Sequence, residues 1–468
     1  MKLSLIGKNF TALVSSNFLI QFVRFLTIAL LARRLGSQAF GVYSYIVLII
    51  TYGFVLVEFG LKNVALRELA QGRGSKKFVK QILKVRLALA CVGFIGVIGL
   101  CSMAFSNGIY FLPTVVLALS LFVDAFLLDF VVIAQEKLVV QAIGNVAQAL
   151  FLYLGCLLFV HSEGDFLILS WLYLLSHVIW ISIFLIAGKP FSLLPENRGD
   201  NVSLYHTAML GVPFLLAQML GTIQFSMDLF LLGQFHYENW LGDYSAAIKI
   251  LALSLGVINA LVAAIQPRIA REVHDLKSPG LQNLVHSTTR MIWLMLLPTL
   301  AGCWLFGDTL IYWFFGDKFL LAPTLLKPLS LAFTLFCLGL APMHALFMSH
   351  DTRLLIKTMT INSLISFLVI TAILALGHPE LVPWGMVITQ GIYMIGAWKS
   401  VGMWGFISYE EIKTFLFPFL LMITPLLMQS AWVSPVQKIT LAAFGYILGL
   451  FAMRIWTRPW FIAILGRT

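Results

Sequence analysis

Charge is what this sequence lacks most. Of its 468 residues, 11% are Asp, Glu, Lys or Arg and 60% are hydrophobic. A soluble domain needs far more charge to cover its surface, so water is not the main solvent of this chain. Cysteine is scarce too: Cys91, Cys101, Cys156, Cys303 and Cys337 all fall in apolar segments without close pairing. That pattern excludes a disulfide framework and a cysteine metal site. The histidines form no His-x-x-x-His pair and no Cys/His cluster, so no metal is expected. A Gly-x-x-x-x-Gly-Lys-Ser/Thr loop is missing, as is any soluble stretch long enough to hold a nucleotide-hydrolysing domain. With no nucleophile–base or paired-carboxylate constellation either, the sequence implies no enzyme and no cofactor.

What the chain has is apolar runs. A bilayer span needs roughly 20 mostly apolar residues. Runs of that kind lie at 10–32, 40–61, 82–105, 110–134, 138–160, 166–188, 208–233, 243–266, 287–307, 325–348, 354–377, 381–403, 413–430 and 437–456. The expectation is an all-α integral membrane protein of about fourteen transmembrane helices. Met1–Phe10 does not read as a cleavable signal, because the run behind it is too long and ends in Arg33-Arg34. With the N-terminus inside, the external loops hold only Arg33, Arg34, Lys249, Lys318, Lys327 and Lys438 of the 31 Lys and Arg, and Arg24 lies within a span. The rest fall on the internal side, which predicts that both termini are cytoplasmic. The net charge of +11 is therefore a matter of membrane orientation, and no nucleic-acid partner is implied. The densest basic segment runs from Lys62 to Arg86 and reads as a cytoplasmic anchor on anionic lipid, or as a collecting surface for a lipid head group.

A short repeat divides the chain. Leu35-Gly36-Ser37-Gln38-Ala39-Phe40-Gly41-Val42-Tyr43-Ser44 has a counterpart in Leu232-Gly233 followed by Leu241-Gly242-Asp243-Tyr244-Ser245. Six spans separate the copies, so they share an orientation. Two parallel six-helix lobes, 1–195 and 196–405, are expected, with two extra helices in 406–468.

Ala32-Arg33-Arg34-Leu35-Gly36, Phe40-Gly41-Val42-Tyr43, Gly60-Leu61 and Arg67-Glu68-Leu69-Ala70 together resemble the pattern of O-antigen and related repeat-unit flippases. These are polysaccharide exporters of the multidrug/oligosaccharidyl-lipid/polysaccharide transporter superfamily. Residues 242–250 are similar to the second-half counterpart of that pattern, whereas Arg34 stands where the family often has an apolar residue. The resemblance implies two lobes around a central cavity and a substrate made of an oligosaccharide on polyprenyl diphosphate. It also implies a bacterial inner-membrane location, with glycosyltransferases and a polysaccharide polymerase as neighbours in the pathway. A cation-coupled multidrug exporter of the same superfamily and a membrane-embedded glycosyltransferase or ligase are the alternatives. The short external loops argue against the enzyme.

Ionisable groups within spans are costly and usually face a cavity or one another. Asn17, Gln21 and Arg24 fall at i, i+4 and i+7 of the first span, giving one polar face that ends in a permanent cation. Guanidinium suits a diphosphate, although a pairing with a neighbouring helix stays open. Glu58 and Lys62, one turn apart, read either as mutually neutralising or as cavity residues. Asp124, mid-span, reads as a carboxylate that titrates with an ion gradient or as a helix–helix acceptor. Gln224 and Asp228 lie one turn apart, and Asp228 is expected to bridge to Lys249 or to line the second lobe opposite Arg24. Tyr45, Tyr52 and Tyr244 are candidates for stacking on sugar rings.

Overall fold

The computed structural model describes residues 2–70, 75–105, 108–134, 138–188, 204–272, 278–349, 352–403, 418–423 and 435–453. Among these residues the only regular structure is helix. Among the described residues ten helices are long and apolar enough to cross a membrane. Every expected span except the thirteenth falls on a described helix, and most of 413–430 lies outside the described residues. Large apolar side chains stand exposed along these helices, among them Ile95 at 71%, Ile186 at 73% and Leu376 at 75%. Such surfaces need lipid around them. The protein is a multi-pass membrane protein.

The chain forms two compact units, Met1–Ser245 and Ala246–Thr468. In the first, α1 (Lys2–Glu58) holds the first two spans in one run. Gly36, at φ 77° and ψ 175°, turns the chain between them, a conformation that favours a residue without Cβ. Phe59 and Gly60, both at positive φ, lead into the short α2 (Leu61–Ala70). Ser75 then caps α3 (Lys76–Ala104), accepting from the Phe78 amide at 3.3 Å.

The fourth span is not one helix. It divides into α4 (Phe111–Ala118), α5 (Ser120–Ala125) and α6 (Asp129–Ala134). α7 (Leu138–Phe159) and α8 (Phe166–Gly188) follow, then α9 (Leu204–Gln234). α1 packs on α3, α7 and α9. A core of Leu61, Ala65, Phe78, Val79, Ile82, Leu128, Phe130 and Val131 binds α2, α3 and α6 together. Arg34 closes the end of α7, its guanidinium donating to the carbonyls of Cys156 and Leu157, each at 2.9 Å, and of Val160. That role explains a charge at a position where the sequence pattern favours an apolar residue.

The repeat proves to be an interlock within this unit. α10 (Glu238–Glu272) begins there, and its Gly242 lies against Gly41 so closely that a methyl on Gly41 would fall 2.5 Å from the Gly242 nitrogen. A methyl on Gly242 would overlap the Ser37 carbonyl. Ser37 also donates to Asp243 at 2.7 Å. Further along α1, Gln234 donates to the Tyr45 hydroxyl at 2.6 Å, and the Tyr52 and Ser226 hydroxyls bond at 2.8 Å. At the far end Gly60 meets Gly211 and Phe214.

In the second unit, α11 (Pro279–Phe315) is capped by Ser278 and carries Pro298 inside. It packs on α12 (Ala322–Leu338) and α13 (Leu340–Met348); α14 (Thr352–Ala375) and α15 (Val382–Ser400) pair beside them. The last described helix, Pro435–Ala452, lies on α11.

Candidate functional site

The break in the fourth span organises a polar cavity inside the first unit. Between α5 and α6, the Leu127 amide bonds to Asp124 and the Val131 amide to Leu128. Val131 would bond to the Leu127 carbonyl in a continuous α-helix, so that carbonyl loses its helical donor. Arg86 of α3 supplies a replacement at 2.6 Å, with its guanidinium 5.3 Å over the Phe130 ring. Irregular backbone at membrane depth survives where such a partner exists.

The cavity beside the break has a volume of about 290 Å³. Its lining includes Glu58, Lys62, Arg86, Asp124, Asp129 and His177, together with Gln141, Asn145, Phe54 and Trp180. Lys62 donates to Asp129 at 2.5 Å, and Asp129 accepts the Phe130 amide at 2.9 Å. Lys62 is thus neutralised by Asp129, and the mutual pairing of Glu58 and Lys62 expected from their spacing is corrected: a tertiary partner wins over the neighbour one turn away. His177 stacks on Phe54 with centroids 5.6 Å apart, and its Nδ1 meets the Tyr173 carbonyl at 3.0 Å. Three carboxyl groups and two basic side chains thus share this one cavity.

Glu58, Lys62 and Asp124 are therefore brought together, and Arg86 and His177 join them without having been singled out from sequence. Arg86 read as the end of a basic loop. Its place at i+4 from buried Ile82 and i−4 from buried Ala90 was the signal that it faces inward. Arg24 lies elsewhere on α1, exposed, and its guanidinium donates to Gln148 of α7 at 3.3 Å. Gln21 is exposed beside it, while the Asn17 side chain lies outside the described residues.

Asp228 is sealed, 1% exposed, and accepts from the Tyr244 hydroxyl at 2.5 Å and from the Leu229 amide at 2.8 Å. The expected bridge from Asp228 to Lys249 is corrected accordingly: a neutral hydroxyl on the facing helix satisfies the carboxylate. Gln224 is buried beside it on α9, and Lys249 is half-buried on α10. Tyr45 and Tyr244 are buried, so their rings are closed to a sugar, whereas Tyr52 is half-buried with its hydroxyl bonded to Ser226. Among the described residues no group of His, Cys, Asp and Glu has the arrangement to hold a metal ion.

Known structures share this architecture. The lipid II flippase MurJ in an inward closed conformation superposes with a TM-score of 0.73 at 13% identity, covering 95% of this chain and 99% of that one. An inward-facing multidrug resistance MATE family transporter of the MOP superfamily gives 0.58 at 13% identity, covering 93% and 95%. A MOP superfamily transporter from Pyrococcus furiosus gives 0.57 at 12% identity, covering 96% of each chain. At these identities the likeness is one of fold. No curated protein sequence matches the chain. Residues 6–273, more than half of its length, match the sequence family described as polysaccharide biosynthesis protein, and the chain belongs to that family.

Proposed function

We propose that this protein is a flippase that moves a polyprenyl-diphosphate-linked oligosaccharide from the cytoplasmic to the outer leaflet of the bacterial inner membrane. In this reading residues 1–195 and 196–405 are the two lobes, 406–468 adds two helices, and both termini are cytoplasmic. The lobes alternate access, the glycan head crosses a hydrated path, and the polyprenyl tail stays in lipid. Glycosyltransferases make the substrate and a polymerase consumes it.

One observation carries the reading. α1 exposes two opposite faces: Leu19 and Phe22 on one side, Gln21 and Arg24 on the other, about 200° apart. Lipid solvates the apolar face, and a permanent cation on the opposite face calls for a wet or anionic neighbour. Arginine offers a planar fork that matches diphosphate oxygens. Family membership and the flippase fold neighbour support the same substrate class. The cluster of carboxyl groups in the Arg86 cavity is the observation behind the second reading, a cation-coupled exporter of the same superfamily.

The test is Arg24→Ala in a strain otherwise lacking the protein. Export of polysaccharide should fail while membrane abundance holds, and inward-facing lipid-linked oligosaccharide should accumulate. Normal export by the variant would remove Arg24 from the path.

A further inference from the structure

Beside the break in the fourth span, two side-chain N–H groups are left without an acceptor. Arg86 Nε and Trp180 Nε1 are both buried, and neither finds a hydrogen-bond partner among the described residues. Both side chains line the Arg86 cavity, and Arg86 itself is only 3% exposed. A stranded donor at membrane depth is costly, and one that persists points to a partner from outside the chain. We infer that this cavity is a subsite for one neutral, hydroxyl-rich sugar ring.

The lining selects that ligand by exclusion. A cation would suit the carboxyl groups of Glu58, Asp124 and Asp129 but would leave both N–H groups unmet. An anion would accept from the N–H groups but would meet the same three carboxyl groups. A sugar hydroxyl donates and accepts at once, so a ring of hydroxyls answers both sets. Gln141 and Asn145 add side-chain amides of the same double character. Phe54 and Trp180 supply aromatic walls suited to the C–H face of a sugar. At about 290 Å³ the cavity stands at the lower limit of small-molecule pockets, roughly 300–1,000 Å³, which suits one ring and not a chain.

Helix α7 ties the cavity to Arg24. Gln141, Asn145 and Gln148 fall at i, i+4 and i+7 on one face, and Gln148 accepts from Arg24 at 3.3 Å. The indole edge of Trp180 lies against the same helix. A methyl on Gly144 would fall 3.1 Å from Trp180 Cδ1, the carbon bonded to the stranded Nε1. From Gln148 back to Asn145 the helix covers about 4.5 Å, and to Gln141 about 10 Å. With the diphosphate on Arg24, the ring in the cavity is the first sugar of the head group. The identity of the ring as part of the substrate rests on the flippase reading; its binding does not.

The test is saturation-transfer NMR on the purified full chain in lauryldimethylamine oxide, a detergent without sugar. The probes are methyl glycosides of glucose, galactose, mannose and N-acetylglucosamine, with methyl glucuronide as the anionic comparison. At least one neutral glycoside should receive saturation, and methyl glucuronide should receive none. Trp180→Phe keeps an aromatic ring and deletes the stranded N–H, so it should weaken that binding about fivefold. Asn145→Leu should abolish it, and Tyr446→Phe in the second unit should leave it unchanged. Silence of every neutral glycoside on the wild type, full binding by either cavity variant, or equal binding of methyl glucuronide would each overturn the assignment. None of these readouts depends on export, so sugar binding and the Arg24→Ala test can fail separately.

Discussion

Each unit contains a helix interrupted at membrane depth, and the two repairs differ in kind. In the first unit the Leu127 carbonyl, released where the fourth span breaks, is taken by the Arg86 guanidinium. In the second, Pro298 has no amide hydrogen for the Leu294 carbonyl, and the Tyr446 hydroxyl donates to it at 2.5 Å. The cavity beside Arg86 is lined by charged and amide side chains. The groove beside Tyr446, about 420 Å³, is lined chiefly by apolar residues such as Val257, Met291, Leu294 and Leu450. A charged repair brings counter-charges with it, since a guanidinium in the membrane must be balanced, and so it creates a polar site. A hydroxyl makes the same bond without that demand and leaves the surroundings apolar.

The comparison breaks most sharply at Arg86. Arg86→Met should destabilise the protein by about 2–3 kcal/mol, because it strands the buried Leu127 carbonyl. Thermal unfolding in detergent measures this, and Arg86→Lys should recover part of the loss by keeping charge without the fork. A melting point unchanged in Arg86→Met would mean that the break needs no cation. A smaller effect is expected at Lys62 and Asp129, whose side chains are 29% and 6% exposed. A double-mutant cycle with Lys62→Gln and Asp129→Asn should give a coupling of about 1–2 kcal/mol. Lys62→Gln alone should be the costlier single change, since it strands the more deeply buried Asp129 carboxylate.

Much of the first unit was legible in the sequence because membrane helices announce themselves by length. The boundaries of the first two spans, the turn at Gly36 and the importance of Gly41 and Gly242 follow from apolar runs and the repeat. The contact between the two repeat copies did not follow, since shared orientation says nothing about which surfaces meet. The break in the fourth span was hidden as well: Phe126-Leu127-Leu128 is as apolar as the helices around it, and no proline or glycine marks it. Among the candidate residues, spacing singled out Glu58, Lys62 and Asp124 but left open whether Lys62 pairs with Glu58 or lines a cavity. The pairing with Asp129 spans 67 residues and depends on how α2 and α6 pack. Asp228 shows the same limit, for its partner Tyr244 was read as a sugar-stacking candidate and instead donates its hydroxyl to the carboxylate.

The smallest effect separates repair from packing in the second unit. Tyr446→Phe removes one neutral hydrogen bond and keeps the ring, so it should cost about 1 kcal/mol, with transport preserved. Pro298→Ala restores an amide hydrogen that can bond to the Leu294 carbonyl within α11. In that background Tyr446→Phe should cost almost nothing, because the carbonyl no longer depends on the hydroxyl. A double-mutant cycle read by thermal unfolding decides the point. If Tyr446→Phe costs the same with and without Pro298, the hydroxyl is not repairing the proline break. Tyr446 would then hold its helix on α11 through its contacts with Ala301, Met422 and Ala442, and the parallel with Arg86 would be geometric only.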